Sequence, residues 1–296
     1  MPWLQISVHT TQNYAEQAED TLLENGACSV TLSDAADEPI LEPAPGETPI
    51  WQNIVATGLF SNTENQERLV ASIRSALPGG GYNISTEILE DQNWSRSWMD
   101  NYHAMQFGER LWVCPWHIEP PDPEATNLRL DPGLAFGTGT HPTTSLCLRW
   151  LDQHIQQQKS LLDFGCGSGI LAIAALLLGL EQADGVDIDP QALEASLANA
   201  RANQVENRLR LFSSKQFSAE HPQQQYEIVV ANILSGPLVK LAPILAKHTL
   251  NSGDIVLSGI LAEQADSIVK AYSPYFKMDA PLFEEDWVLL HGCRQT

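Results

Sequence analysis

The stretch that decides the fold is LLDFGCGSGI, residues 161–170. It joins an apolar strand to a helix through a Gly-x-Gly-x-Gly turn, where glycine permits a tight bend and a close approach of a ligand to the backbone. In open α/β sheets the ligand site lies beyond the carboxyl ends of the strands, and this turn is such an end. The dinucleotide fingerprint would need a glycine in place of Ile170, and the Walker Gly-Lys-Ser/Thr sequence is absent. A pyrophosphate ligand is therefore disfavoured, and a glycine triplet alone is also compatible with a purely structural turn.

Two further strand ends carry polar side chains suited to a nucleoside. Asp187 ends the next strand, 22 residues after Gly165, where a carboxylate can accept hydrogen bonds from ribose hydroxyls. Asp189, which precedes a proline, is interpreted as a helix N-cap. Asn232 ends the fourth strand and can present both a carbonyl and an amide, although a helix cap near Ser235 is the alternative.

The segment from Leu130 to Thr144 is rich in glycine and threonine and precedes a helix. This composition favours a loop that covers a ligand and pivots, while a flexible crossing between domains is the alternative. His141, at its end, is a candidate general base by position, but a structural role at the helix start is favoured over that one. No side chain in the sequence is identified as catalytic.

From residue 142 onward strands and helices alternate, which predicts a mostly parallel, Rossmann-like α/β sheet wrapped by helices. The predicted helices are 142–157, 168–179, 190–203, 235–247 and 261–271. The predicted strands are 160–164, 183–188, 208–212, 226–231, 253–258, 274–279 and 286–292. The link between the last two strands is too short for a crossover helix, so we expect them to pair antiparallel.

The N-terminal third predicts a separate α+β domain of the ferredoxin-like type, with the order β-α-β-β-α-β. Its strands are predicted at 3–8, 28–32, 51–60 and 82–89, and its helices at 12–25 and 62–77. A connector that is rich in aromatic residues and then in proline follows, and it is interpreted as a linker helix plus an edge hairpin rather than a base-stacking surface. The predicted domains are thus 1–90, a linker over 91–130, and 131–296.

Charge and composition restrict the class of partner. The chain has 296 residues with 37 acids and 16 bases, and residues 1–92 alone hold 14 acids and two bases. Such a balance disfavours direct nucleic-acid binding and is compatible with a basic protein partner, with simple solubility as the alternative. The sequence contains no apolar run of membrane-spanning length, no basic leader region, and five scattered cysteines. These features predict no membrane association and a cytoplasmic location.

Metal and thiol chemistry are not expected. Cys114 and His117 are three residues apart, but no second pair at ligand spacing accompanies them, so no metal site is predicted. Cys166 lies inside the glycine turn without a visible base partner, and it is interpreted as a small residue that fits there rather than as a nucleophile.

The motifs at 163–169, 186–190 and 232–234 together resemble class I S-adenosylmethionine-dependent methyltransferases. The loop from Leu130 to Thr144 is more specific and resembles the signature of the bacterial ribosomal protein L11 methyltransferases, and the resemblance covers the whole chain. It implies S-adenosylmethionine as the cofactor, an N-terminal domain that docks the substrate protein, and methylation of lysine and N-terminal amines of the large-subunit protein L11. Carried over by motif, the cofactor contacts are Thr144, Gly165, Asp187 and Asn232.

Methyl transfer from a sulfonium to an amine is an in-line displacement with a neutral leaving group, so it is mainly a positioning task. The amine must be deprotonated, and Asn232 is a candidate to orient it through its carbonyl. Ile233 and Leu234 replace the proline pair that follows this asparagine in enzymes acting on amide or base nitrogens, which argues for a more mobile amine. A nucleic-acid methyltransferase and a non-enzymatic adenosine-binding module are the alternatives.

Overall fold

The structure of the protein is a computed structural model. Two compact units divide the chain, Met1–Asn101 and Tyr102–Thr296. The structure describes residues 3–36, 40, 48–61, 66–77, 83–89, 103–130 and 141–295. The central part of the predicted covering loop, 131–140, lies outside the described residues.

The first unit has the predicted β-α-β-β-α-β order. Its elements are β1 (Trp3–Thr11), α1 (Ala15–Glu24), β2 (Ser29–Asp34), β3 (Asn53–Ser61), α2 (Gln66–Ala76) and β4 (Ile84–Leu89). The strands lie in the order β2-β3-β1-β4 and all neighbours pair antiparallel. Alternate residues of β1, such as Leu4 and Ile6, point into one core with Leu22 of α1 and Ile73 of α2. This arrangement confirms the ferredoxin-like prediction.

The described part of the predicted linker is a small sheet that belongs to the second unit. It consists of β5 (Met105–Phe107), β6 (Leu111–Pro115) and β7 (Thr126–Leu130). Strands β5 and β6 pair antiparallel, whereas β6 and β7 pair parallel. The antiparallel pair of β5 and β6 agrees with the expected hairpin. Phe107, Leu111 and Leu128 are buried in the core of the second unit, so the segment is part of that unit rather than a linker. Its apolar residues therefore form part of that core.

The second unit contains the mostly parallel sheet that the alternation predicts. Its helices are α3 (Pro142–His154), α4 (Ile170–Leu177), α5 (Pro190–Ala202), α6 (Ser214–Glu220), α7 (Ser235–His248) and α8 (Ala265–Tyr272). Its strands are β8 (Ser160–Phe164), β9 (Gln182–Asp187), β10 (Leu209–Ser213), β11 (Tyr226–Asn232), β12 (Thr249–Leu261), β13 (Phe276–Met278), β14 (Leu282–Glu284) and β15 (Trp287–Arg294). Helix α6 and strand β14 were not predicted.

The strands lie in the order β10-β9-β8-β11-β12-β15-β13, with β14 paired to β15. The first five of them pair parallel, and β15 pairs antiparallel with β12, β13 and β14, as expected for the end of the chain. The chain proceeds from β8 to β9 on one side and continues later to β11 on the other. The end of β8 is therefore the topological switch point of the sheet, where ligands bind in open α/β folds.

Helices cover both faces of this sheet. Helix α4 is apolar on all sides and buried from Ile170 to Leu176, because it lies between the sheet, α3 and the small β5–β7 sheet. Helices α7 and α8 pack on the opposite face with residues such as Leu238 and Ile268. Within the described residues, no helix is long and apolar enough to cross a membrane.

Candidate functional site

The glycine turn after β8 is tied to the neighbouring strand by its own backbone. The N–H groups of Gly165 and Cys166 both donate to the carbonyl of Val186, at 2.7 and 3.1 Å. The N–H of Gly167 donates to Oδ2 of Asp187 at 2.9 Å. Two of the predicted site residues, Gly165 and Asp187, are thus brought together at the carboxyl ends of β8 and β9.

Glycine at position 165 has a specific steric cause. Its backbone has φ +83°, a left-handed conformation that side chains rarely adopt. A Cβ built there would lie 2.3 Å from Cγ2 of Ile233, which follows β11. The position therefore requires glycine because the ends of β8 and β11 approach each other, a contact that the sequence did not reveal.

Asp187 keeps a partly exposed carboxylate at the end of β9. Its Oδ1 accepts the N–H of Asp189 at 3.0 Å, so each of its oxygens has one backbone donor and room for another. Asp189 itself accepts the N–H of Gln191 at 2.9 Å at the start of α5, which confirms its interpretation as an N-cap. Ile188 is 86% exposed beside this carboxylate. Sequence reasoning missed Ile188, although an apolar residue between two acids at a strand end was a signal.

The other two predicted site residues also meet. Nδ2 of Asn232 donates to Oγ1 of Thr144 at 3.3 Å, which links the end of β11 to the first turn of α3. The residue at the N-cap of α7 is Leu234, so Asn232 does not cap that helix. With its amide nitrogen on Thr144, Asn232 keeps its carbonyl oxygen as an acceptor, to which none of the described residues donates.

His141 has the structural role that was favoured over the role of a base. Its Nδ1 accepts the N–H of Thr143 at the N-cap of α3, with Pro142 in the first turn. Its ring makes an edge contact with Trp287, with 4.6 Å between ring centroids. A ring held on both sides in this way fixes the start of the helix that carries Thr144.

Asp163, like Ile188, is a candidate functional residue that the sequence alone did not identify. Its carboxyl is buried at the end of β8, where Oδ2 accepts the N–H of Ala172 at 3.2 Å and Oδ1 has no hydrogen-bond partner among the described residues. Burial raises the pKa of Asp163 to about 7, the Ala172 bond lowers it in part, and the charge of Asp187 raises it. An acid inside an apolar strand directly before the glycine turn was the available signal.

Cys166 lies buried inside the glycine turn. Burial raises the pKa of the Cys166 thiol well above its ordinary value, which keeps it protonated and unreactive. No cluster of three potential metal ligands occurs among the described residues.

Comparison with known proteins adds the family. The model of the ribosomal protein L11 methyltransferase family matches residues 2–295. The chain belongs to this family. The ribosomal protein L11 methyltransferases of Marinobacter nauticus and Actinobacillus pleuropneumoniae are 51% and 52% identical to it, over all of this chain and 99% and 100% of theirs. The crystal structure of the ribosomal protein L11 methylase from Lactobacillus delbrueckii subsp. bulgaricus superposes with a TM-score of 0.60 at 31% identity, covering 66% of this chain and all of that one.

As a member of the L11 methyltransferase family, the chain is an S-adenosylmethionine-dependent protein methyltransferase. Three features at the switch point fit the cofactor. The turn at Gly165 excludes a side chain, the carboxylate of Asp187 has acceptor capacity for ribose hydroxyls, and the exposed Ile188 offers an apolar face to a purine. All three lie at the carboxyl ends of β8 and β9.

Proposed function

We propose that the chain transfers methyl groups from S-adenosylmethionine to lysine and N-terminal amino groups of ribosomal protein L11. The observation that carries the proposal is the convergence of Gly165, Asp187, Asn232 and Thr144 at the switch point of a sheet in this family. The names of the relatives, each a ribosomal protein L11 methyltransferase, support the choice of substrate.

In the proposed site Asp187 accepts the ribose hydroxyls, and the turn at Gly165 receives the methionine part of the cofactor. Ile188 provides the apolar surface beside the adenine. When bound, the cofactor supplies a methyl group on a positively charged sulfur. The hydrogen bond between Asn232 and Thr144, 3.3 Å long, lies at the same edge of the sheet. Both residues are therefore proposed to contact the cofactor or the acceptor beside it.

The proposed role of Asn232 is to orient the acceptor amine. Its amide nitrogen is engaged with Thr144, and no described residue donates to its carbonyl oxygen. That oxygen can therefore accept an N–H of a neutral amine and direct the nitrogen lone pair toward the methyl group. Desolvation lowers the pKa of an amine and so favours the neutral, nucleophilic form. The leaving thioether is neutral, so the reaction needs no acid.

The acidic first unit is the proposed recognition module for the basic substrate protein, and direct binding of nucleic acid is not proposed. Helix α1 supports this role, because three of its acids are exposed and spaced four residues apart on one face: Glu16, Asp20 and Glu24. Such a row attracts a basic protein surface at long range.

The five cysteines are all free, which suits the proposed cytoplasmic location.

A labelling experiment tests the proposed activity. Purified ribosomal protein L11 and ribosomal RNA are incubated separately with the protein and radiolabelled S-adenosylmethionine. We expect label in the protein and none in the RNA. Asp187→Ala should weaken cofactor binding by roughly 1.5–3 kcal/mol, the range for hydrogen bonds to a charged group. Label in RNA alone, or unchanged affinity in Asp187→Ala, would contradict the proposal.

A second experiment tests the recognition module. Neutralising the three α1 acids to their amides should raise the KM for L11 several-fold at low salt, and added salt should remove the difference from the wild-type protein. The control neutralises three exposed acids of the second unit: Glu181, Glu194 and Glu263. If both triple variants raise KM equally, the effect is one of net charge, and the first unit is not the recognition module.

A further inference from the structure

Two buried polar side chains of α5 face the glycine turn. Ser196 and Asn199 are 0% and 1% exposed, at positions of the helix that pack against an otherwise apolar interior. A buried hydroxyl or amide is costly unless it is hydrogen-bonded, and an alanine at either position would avoid that cost. Their presence therefore indicates that each forms a hydrogen bond with a neighbouring buried group.

Both side chains donate to carbonyls of the turn. Oγ of Ser196 donates to the carbonyl of Gly167 at 2.8 Å, and Nδ2 of Asn199 donates to the carbonyl of Ser168 at 2.9 Å. Helix α5 also approaches the turn very closely, since a Cβ built on Gly169, at φ +77°, would lie 2.9 Å from Oγ of Ser196. The turn thus rests directly on these two residues.

The turn is consequently held from two sides. On the β9 side its N–H groups donate to Val186 and Asp187. On the α5 side its carbonyls accept from Ser196 and Asn199. A flip of the peptide between Gly167 and Ser168 would break the bond to Ser196, so the two side chains select one conformation of the turn.

We propose that Ser196 and Asn199 are positioning residues of the cofactor site, which hold the glycine turn in the conformation that binds S-adenosylmethionine. This inference rests on the proposed function, because it takes the turn as the place where the cofactor binds. A turn that is already ordered binds its ligand without first losing conformational freedom, and the two residues supply this order.

A purely structural role for the pair is the competing explanation. The same face of α5 continues to Asn203, whose side chain bonds to the backbone of Arg129 in β7 at 2.7 Å in both directions. That bond joins the helix to the small sheet, so α5 carries bonds that serve the fold alone. A test must therefore separate cofactor binding from stability.

The test compares Ser196→Ala with Tyr272→Phe. The hydroxyl of Tyr272 donates to the carbonyl of Leu238 at 3.0 Å between α8 and α7, so each variant removes a buried hydroxyl that donates to a backbone carbonyl. The hydroxyl of Ser196 also lies 3.7 Å from Sγ of Cys166. Both variants should lower Tm. Only Ser196→Ala should raise the Kd for S-adenosylmethionine, by fivefold or more in calorimetry. In kinetics its KM for the cofactor should rise, while kcat at saturating cofactor and the KM for the protein acceptor stay within twofold.

Two further variants secure the interpretation. Ser196→Cys keeps a side chain of similar size with a weaker donor and should bind the cofactor at least twofold more weakly than the wild type. Asp187→Ala is the reference for the site itself. If Asp187→Ala weakens binding while Ser196→Ala and Ser196→Cys keep wild-type affinity, the positioning role is refuted. If Asp187→Ala binds normally, the proposed cofactor site fails instead.

Discussion

Replacing Gly165 by alanine probes the contact between the ends of β8 and β11. The left-handed conformation, φ +83°, costs a side chain about 1–2 kcal/mol. The new methyl group would also lie 2.3 Å from Cγ2 of Ile233, whereas carbon atoms pack at about 3.5–4.0 Å. Ile233 must therefore move by roughly 1 Å or more, and overpacking of this kind costs about 1–3 kcal/mol.

The chain offers a matched control in Gly179, at the end of α4. Its φ is +115°, but a Cβ built there meets no atom of the described residues within 4 Å. Gly179→Ala therefore carries backbone strain alone, and we expect Gly165→Ala to lose about 1–3 kcal/mol more in denaturant unfolding. Gly165→Ala should also weaken cofactor binding, because displacement of Ile233 shifts the adjacent Asn232. Gly179→Ala should bind the cofactor normally.

A double variant makes this prediction refutable. Ile233→Ala removes the Cγ2 atom that the new methyl group would strike. In that background Gly165→Ala should cost only the backbone strain, about 1–2 kcal/mol. If Gly165→Ala costs the same with and without Ile233, or costs no more than Gly179→Ala, the steric explanation for the glycine is wrong.

Three further predictions concern charged groups in the second unit. Burial raises the pKa of Asp163 from 3.8 to about 7 in the folded state. The free energy of unfolding should therefore fall as pH rises through that range, because the folded state must then ionise a buried acid. At roughly 1.4 kcal/mol per pKa unit the loss is about 4 kcal/mol. Asp163→Asn should abolish this loss in unfolding curves measured between pH 4 and 8 (both rough limits). Burial lowers the pKa of His291, but its bonds to Asp254 and Asp279 raise it overall. The free energy of unfolding should therefore fall as pH rises above 6.5, and His291→Gln should make that fall shallower in unfolding curves. The buried carboxylate of Asp184 accepts two hydrogen bonds from Arg210 and one from the Tyr226 hydroxyl. Asp184→Ala removes this acceptor and should lower the free energy of unfolding by about 3 kcal/mol in denaturant titrations.

Local signals in the sequence predicted much of the fold. The strand at 160–164 and the starts of three helices, at Pro142, Pro190 and Ser235, agree with the structure. The first two of these helix starts have a chemical marker, a proline in the first turn after the capping residue His141 or Asp189. The glycine turn and the polar strand ends were recognisable for the same reason, since their function depends on residue types at fixed positions along the chain.

Features that depend on distant parts of the chain were not predictable in this way. The parallel pairing of β6 with β7 places Leu111 opposite Thr126, and no local pattern encodes such a register. Strand β14 has three residues and exists because β15 pairs with it. The contact of Gly165 with Ile233 joins residues 68 positions apart, which only the folded sheet brings together.

The polar residues of α5 show the same limit inside the candidate site. Ser196 and Asn199 lie in the middle of a helix, where serine and asparagine have no helix-forming advantage and the sequence offers no reason for them. The reason lies in the turn, whose carbonyls need donors once the chain bends back at Gly167 and Gly169. Methyl transfer is governed by alignment, since the leaving group is neutral and a displacement needs its three atoms in line. An enzyme of this kind can therefore place polar side chains behind the backbone that contacts the ligand, where they fix geometry without touching the reacting atoms.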